Sequence, residues 1–84
     1  MSYRIKIISK AQKDLDDITF RDFHSIKEKI LALGDSPRPF GSKKLTFEEG
    51  HRIRCGDFRI LYRIDDLSKE VIVYRIKHLR EAYR

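Results

Sequence analysis

The stretch HRIRCGDFRILYRID at residues 51–65 decides the fold. Two runs in which charged and apolar residues alternate lie on either side of a Gly-Asp pair, and such a pair is typical of a two-residue β-hairpin turn. A turn of that length places Arg54 directly opposite Arg59 on two neighbouring strands. Like charges that face each other across strands destabilise a sheet. The arrangement therefore needs an explanation.

Side chains of a strand alternate between the two faces of a sheet, so the turn fixes which residues share a face. The apolar set is Ile53, Cys55, Phe58, Ile60, Tyr62 and Ile64, and the arginine set is Arg52, Arg54, Arg59 and Arg63. A shift by one residue would turn the arginines into the core, so we expect a well-defined register. The arginine face offers planar guanidinium groups suited to bidentate contact with phosphate. The alternative is that the long side chains extend into water and screen one another.

Before the hairpin, the sequence predicts one strand and two helices. YRIKIIS at residues 3–9 alternates as a strand does, and Ser9 could cap the helix that follows. Apolar residues at helical spacing then predict a short helix and a second one, capped by Thr19 and ending before Gly34. The loop GDSPRPFGS, residues 34–42, holds both prolines, and KKLTF after it is a short candidate strand.

After the hairpin, VIVYRIKH at residues 71–78 predicts a last strand. Its better apolar set is Ile72, Tyr74 and Ile76, which places Arg75 and Lys77 on the arginine face. The elements together predict a single α+β domain over residues 1–84 in β-α-α-β-β-β order. We expect a helical hairpin packed on one face of a small, mostly antiparallel sheet.

Composition favours a small globular protein with a bias towards polyanions. The chain has 84 residues, 40% of them hydrophobic and 38% charged, and a net charge of +6. A single cysteine, Cys55, excludes an intrachain disulfide and fits a reducing compartment. The histidines at positions 24 and 51 lack metal-ligand spacing. With no signal-peptide pattern at the N-terminus, we expect a cytoplasmic protein without metal or membrane anchor.

Three separated motifs resemble the RelE family of toxin–antitoxin toxins: SPRPFGSKKL, HRIRCGDFRILYRIDD and VIVYRIKHLREAY. The arginine-rich hairpin followed by R-I-x-H-x-R-E-x-Y is fairly specific to the RelE/ParE superfamily and less specific to one branch of it. The resemblance implies a small curved sheet with a helical hairpin on one side. It also implies cleavage of messenger RNA in the ribosomal A site without a cofactor, in which the 2′-hydroxyl attacks the adjacent phosphate and the 5′-oxygen leaves.

The resemblance also implies which residues act on the RNA. Arg52, Arg54 and Arg59 would hold and stabilise the phosphate, Arg80 would be a further phosphate ligand, and Tyr83 would stack on a base or help the chemistry. Further RNA contacts are expected from Lys43, Lys44, Arg63, Arg75 and Lys77.

The resemblance does not identify the residue that acts as general base. The best-known family members have lysines at the hairpin pair, whereas arginine does not deprotonate in proteins. His78 is the best candidate for proton transfer because histidine titrates near neutrality. Strand parity, however, places His78 on the core face with Ile76, unless the strand ends just before it.

The sequence is also compatible with two other functions. A ParE-like protein would poison DNA gyrase by binding and would not cut RNA, and an inactive homologue would only bind its antitoxin. The arginine cluster favours the nuclease. All three predict an acidic antitoxin partner in a hetero-oligomer, with carboxylates on the arginine face, and the nuclease adds the ribosome and messenger RNA as partners.

Overall fold

The computed structural model describes residues 2–46 and 48–79. Its elements are β1 Arg4–Ile7, α1 Ser9–Asp16, α2 Phe20–Ala32, β2 Lys43–Lys44, β3 His51–Cys55, β4 Phe58–Asp65 and β5 Glu70–His78. The strands form one sheet in the order β1-β5-β4-β3-β2, in which β1 and β5 run parallel and the other neighbours antiparallel. The predicted α+β architecture is confirmed, with the short candidate strand reduced to the two residues of β2. Neither helix has the length and apolar character that a membrane span requires.

The hairpin between β3 and β4 has the predicted register. Arg54 is the partner of Arg59, and Ile53 is the partner of Ile60. The turn begins with Gly56 at a φ of +59°, a left-handed conformation that glycine adopts without strain. The two faces of the hairpin therefore separate as the alternation of the sequence requires.

The core lies between the helices and the predicted apolar face of the sheet. Its buried members are Ala11, Leu15, Ile26, Ile30, Leu33, Ile53, Ile60, Tyr62, Val71, Val73 and Ile76. Tyr62 is the largest fully buried side chain, and its hydroxyl donates a hydrogen bond of 2.8 Å to the carbonyl oxygen of Pro37. The buried phenol therefore has a partner, and the same bond ties the Pro-rich loop to the sheet.

The apolar face predicted for β5 is wrong in its first half. Val71 and Val73 are fully buried, whereas Ile72 and Tyr74 are half-buried on the opposite face. The cause is a β-bulge: the register of β5 against β4 shifts so that Tyr74 is the extra residue. Beyond the bulge Ile76 points into the core as predicted.

The predicted helix boundaries, which are the start of α1 and both ends of α2, agree with the structure to within one residue. α1 begins at Ser9, so its N-cap is Ile8, and α2 has Thr19 as its N-cap. Gly34 follows α2 as predicted, for a reason that the sequence did not reveal. A Cβ at this position would lie 3.1 Å from the carbonyl oxygen of Tyr3, whose N–H donates a hydrogen bond to the Gly34 carbonyl. The start of β1 thus packs against the end of α2 at a site that has no room for a side chain.

Candidate nucleic-acid interface

The arginines of the hairpin lie on the face of the sheet that the helices leave open. Arg52, Arg54 and Arg59 alternate with the core residues of β3 and β4, so the packing of the core turns all three outward. Arg54 is exposed, and Arg52 and Arg59 are half-buried. The Nε atom of Arg59 is buried, so this part of its guanidinium group lies close to the sheet, where surrounding protein screens charge less than bulk water does.

A basic groove runs along the outer edge of β3. The strand β2 pairs only with the beginning of β3, through Lys43–Arg52 and Lys44–His51, and so leaves the rest of that edge open within the described chain. The groove has a volume of about 400 Å³ and is lined by Lys29, Phe40, Gly41, Lys43, Arg52, Ile53, Arg54 and Arg59. Five of these eight residues are basic and none is acidic.

The charges of the basic groove are only partly compensated by the protein. Among the described residues, no carboxylate lies within 4.0 Å of a cationic nitrogen of Lys43, Arg52 or Arg54. Cations that converge without carboxylates repel one another, and an anion between them changes the repulsion into attraction. The arrangement is therefore able to bind a phosphate group and to stabilise negative charge that develops on it.

Arg75 is held away from the basic groove by an ion pair. Its Nε lies 2.9 Å from Oδ2 of Asp14 in α1, and the same oxygen accepts a hydrogen bond of 2.9 Å from the N–H of Ile76. The two side chains are 27% and 19% exposed, so the pair is largely shielded from water. The charge of Arg75 is thus matched inside the protein, in contrast to that of Arg54.

The other predicted RNA contacts spread over a wider surface. Arg63 lies over the ring of Tyr74, with its guanidinium carbon 5.1 Å from the ring centroid, and Lys77 is the β5 partner of Arg59. Lys43 lines the basic groove, whereas Lys44 is the partner of His51 and has the opposite parity. Of the predicted contacts in the described residues, Lys43 lies in the basic groove, and Lys77 lies beside Arg59 on the neighbouring strand.

His78 lies on the helix side of the sheet, opposite to the arginines. The strand β5 continues through His78, so the condition under which its side chain would reach the arginine face is not met. Its ring packs edge-on against Phe58 with centroids 5.1 Å apart, beside a cavity of about 230 Å³ that Asp14, Asp17 and Asp22 also line. The predicted sites Arg80 and Tyr83 lie outside the described residues.

Two further titratable groups near the hairpin belong to the core side. Cys55 is half-buried, and burial raises the pKa of its thiol, which disfavours the nucleophilic thiolate. Burial also lowers the pKa of His51, with smaller contributions from Arg38 and Lys44, which favours the neutral imidazole. The His51 ring stacks on Tyr62 at a centroid distance of 5.8 Å. In the described chain, no cluster of three or more His, Cys, Asp or Glu side chains is suited to a metal ion.

Two residues of the basic groove, Lys29 and Phe40, were not predicted from the sequence. Lys29 comes from α2, and the alternation of the strands says nothing about which helix residue reaches the sheet edge. Phe40 stands in the Pro-rich loop, three residues before the first of two lysines, Lys43 and Lys44. An aromatic side chain close to lysines in a loop was the available signal, because this combination is typical of surfaces that bind single-stranded nucleic acid.

The chain is similar to toxins of known toxin–antitoxin systems. A family model described as the ParE toxin of type II toxin–antitoxin systems matches residues 5–83. The toxin RelG of Mycobacterium tuberculosis is 32% identical over 88 residues, an alignment that covers 100% of this chain and 99% of RelG.

Solved structures of two toxin–antitoxin complexes have the same fold. RelBE2 of M. tuberculosis contains a chain with a TM-score of 0.85 and 28% identity, over 93% of this chain and 99% of that one. The archaeal RelE–RelB complex of Pyrococcus horikoshii contains a chain with a TM-score of 0.82 and 26% identity, over 94% and 97% of the two chains. The similarity extends over almost the full length of each chain.

Proposed function

The chain belongs to the RelE/ParE superfamily of toxins of type II toxin–antitoxin systems, and from this premise we propose that it is a ribosome-dependent endoribonuclease. It would cut messenger RNA in the ribosomal A site and so inhibit translation. The observation that carries the proposal is the basic groove, in which five cations surround a space with no carboxylate in its lining.

The proposed reaction needs stabilisation of charge more than any other help from the protein. The 2′-oxygen forms a bond to the adjacent phosphorus and loses its proton, the bond from phosphorus to the 5′-oxygen breaks, and that oxygen takes up a proton. The products are a 2′,3′-cyclic phosphate and a 5′-hydroxyl. The reaction passes through a dianionic phosphorane between substrate and products. Arg52, Arg54 and Arg59 would stabilise this phosphorane through fixed guanidinium groups.

The proton transfers have no assigned residue in this proposal. A role for His78 requires the end of β5 to detach from Phe58, against which its ring packs. Arg80 and Tyr83 keep the roles that the resemblance implies, as a phosphate ligand and as a stacking or proton-transfer group. The groove arginines alone support a reaction that is driven mainly by electrostatic stabilisation.

A second candidate function has its own support. The family model that matches is described as a ParE toxin, so a protein that binds DNA gyrase without cutting RNA is the rival proposal. An inactive homologue is the third, supported by the arginines that stand where the best-known nucleases have lysines. The basic groove favours the nuclease because gyrase binding alone does not require cations that converge on one space.

We further propose that the partner of the chain is an acidic antitoxin. The similar structures named above are toxin–antitoxin complexes, of RelBE2 and of RelE with RelB. A segment that places carboxylates in the basic groove would match the charges of Arg52 and Arg54 and would exclude RNA by occupancy. Such binding would be strongly sensitive to salt because many charges meet at the contact.

Purified protein added to programmed ribosomes tests the nuclease. We expect cleavage of the message within the A-site codon, and we expect the double variant Arg54→Ala, Arg59→Ala to cut at least about 100-fold more slowly while it stays folded. The matched control is Lys10→Ala, Arg21→Ala, which removes the same charge from exposed helix positions outside the groove. The control should cut like the wild type.

Intact message with the wild type, under conditions in which a known RelE toxin cuts, would refute the nuclease. Inhibition of DNA supercoiling by gyrase in a parallel assay would then support the ParE-like alternative. Unfolding of the double arginine variant would contradict the assignment of Arg54 and Arg59 to the open face.

A further inference from the structure

Phe40 is an exposed aromatic side chain at the wall of the basic groove. It is fully exposed, at 106% of the reference area, and it lines the groove with Lys29, Lys43 and the hairpin arginines. Single exposed apolar residues are ordinary on protein surfaces, and Phe20 and Leu67 are others here. Phe40 differs from both because its ring borders a space surrounded by cations.

The loop that carries Phe40 is fastened to the sheet on both sides of the ring. Before it, the carbonyl of Pro37 accepts the hydrogen bond from Tyr62, and Arg38 forms an ion pair of 2.9 Å with Asp66. After it, Lys43 of β2 pairs with Arg52 of β3, and the N–H of Ser42 donates a hydrogen bond of 3.0 Å to the carbonyl of Pro39, which closes the loop on itself. A ring on a loop held in this way loses little conformational entropy when a flat ligand stacks on it.

The size and chemistry of the basic groove fit a nucleotide. Its volume of about 400 Å³ falls within the range of roughly 300–1,000 Å³ that is usual for small-ligand sites. Proteins that hold single strands combine cations along the phosphate backbone with aromatic rings on which bases stack. The described groove provides both, with arginines on the sheet and Phe40 on the facing loop.

We infer that Phe40 is a stacking platform for one unpaired base of an RNA strand whose phosphate lies among Arg52, Arg54 and Arg59. The inference rests on the proposed function and adds a contact on the loop side of the groove. Lys29 stands on the helix side of the same space and contacts the backbone next to the stacked nucleotide. An acidic peptide would also match the cations, but it has no flat base to place on the ring.

Binding of a labelled single-stranded hexamer tests the inference without the ribosome. The probe is 2′-fluoro RNA, which lacks the attacking hydroxyl, and it is used intact and as six versions that each lack one base. Fluorescence anisotropy at low salt is measured for the wild type, Phe40→Ala, Phe40→Trp and the control Phe20→Ala. The control removes a phenylalanine of 87% exposure that does not line the groove.

We expect Phe40→Ala to weaken binding of the intact hexamer about tenfold, the scale of one base stacked on an aromatic ring. Phe40→Trp and Phe20→Ala should bind like the wild type. With one of the six abasic probes, the wild type and Phe40→Ala should bind within about twofold of each other, because the stacking partner is then missing from both complexes.

Three results would overturn the inference. They are equal binding by Phe40→Ala and the wild type, a loss that stays the same with every abasic probe, and no binding of the hexamer by the wild type. The first would leave Phe40 as a contact for a protein partner, and the second would indicate that the ring affects the groove without stacking on a base. The ribosome assay decides the nuclease separately, since a chain that stacks RNA on Phe40 and leaves A-site message intact would refute only the proposed function.

Discussion

Removal of the Asp14 carboxylate should destabilise the protein more than a change at any other polar residue of α1. Its Oδ2 accepts hydrogen bonds of 2.9 Å from the Arg75 side chain and of 2.9 Å from the N–H of Ile76. The strand β1 ends at Ile7, opposite Val73, so it leaves the later residues of β5 without a strand partner on that edge. Asp14 accepts the N–H of Ile76 in this uncovered part. The side chain thus replaces a missing strand partner.

The size of the destabilisation follows from the number of hydrogen bonds that Asp14 accepts and from how far these bonds are shielded from water. A hydrogen bond to a charged group contributes about 1.5–3 kcal/mol when it is largely shielded from water, and loss of Asp14 also leaves the N–H of Ile76 without this partner. Because Asp14 is 19% exposed, some solvent screening reduces the sum, and we expect Asp14→Ala to lower the free energy of unfolding by about 2–3 kcal/mol. In a domain of this size the melting temperature falls by about 10–20 °C.

Thermal and urea unfolding followed by circular dichroism measure this change. Asp14→Asn keeps one oxygen for the N–H of Ile76 but loses the charge and the second oxygen, which accepts a hydrogen bond from Arg75, so it should be less damaging than Asp14→Ala, at about 1 kcal/mol. The matched control is Asp16→Ala, two residues further along α1, where an exposed carboxylate accepts a hydrogen bond from Gln12. That control should change stability by less than about 0.5 kcal/mol. Equal effects of Asp14→Ala and Asp16→Ala would refute the reasoning.

Three further predictions follow from other contacts. Gly34→Ala should lower the free energy of unfolding by about 1–3 kcal/mol in urea titrations, because the new Cβ would lie 3.1 Å from a backbone oxygen. Arg38 and, to a smaller extent, Tyr3 hold the pKa of Asp66 below its ordinary value. The Asp66 carboxylate therefore stabilises the fold at neutral pH and loses that contribution as the pH falls through its folded pKa. The difference in unfolding free energy between wild type and Arg38→Ala should shrink accordingly in an acid-unfolding series. Arg54→Ala should reduce the slope of log affinity for the RNA hexamer against log salt by about 0.7, and Arg75→Ala should change it less, because Asp14 already matches that charge.

The sequence determined the hairpin well because its signals are local. The turn at residues 56–57 fixes the register, and alternation over ten flanking positions then assigns every side chain to a face. The same alternation failed at Ile72 and Tyr74, since a bulge changes the parity within one strand. Two apolar sets compete along VIVYRIKH, and only the packing of Val71 and Val73 against the helices selects between them.

Only part of the basic groove could be predicted from the sequence, namely its arginines. Its arginines come from one hairpin, so parity alone assigned them to the open face. Lys29 and Phe40 come from a helix and a loop that reach the same strand edge only in the folded chain. Alternation within a strand carries no information about contacts of that range. The pairing of Arg75 with Asp14, 61 positions apart, was hidden for the same reason.

The opposition of Arg54 and Arg59 is explained by comparing the energies on the two faces of the hairpin. Repulsion between like charges opposed on a sheet costs about 0.2–1 kcal/mol, and the same register buries Ile53 and Ile60 at 4% and 0% exposure on the other face. Each buried isoleucine contributes about 1.5–3 kcal/mol, so the core outweighs the repulsion several-fold and fixes the register. Since the two arginines face each other whether or not an anion is present, their repulsion weakens the free protein and strengthens its binding of any anion that lies between them. A phosphate in the basic groove should therefore stabilise the fold by mass action, and this gain should be absent in the double arginine variant.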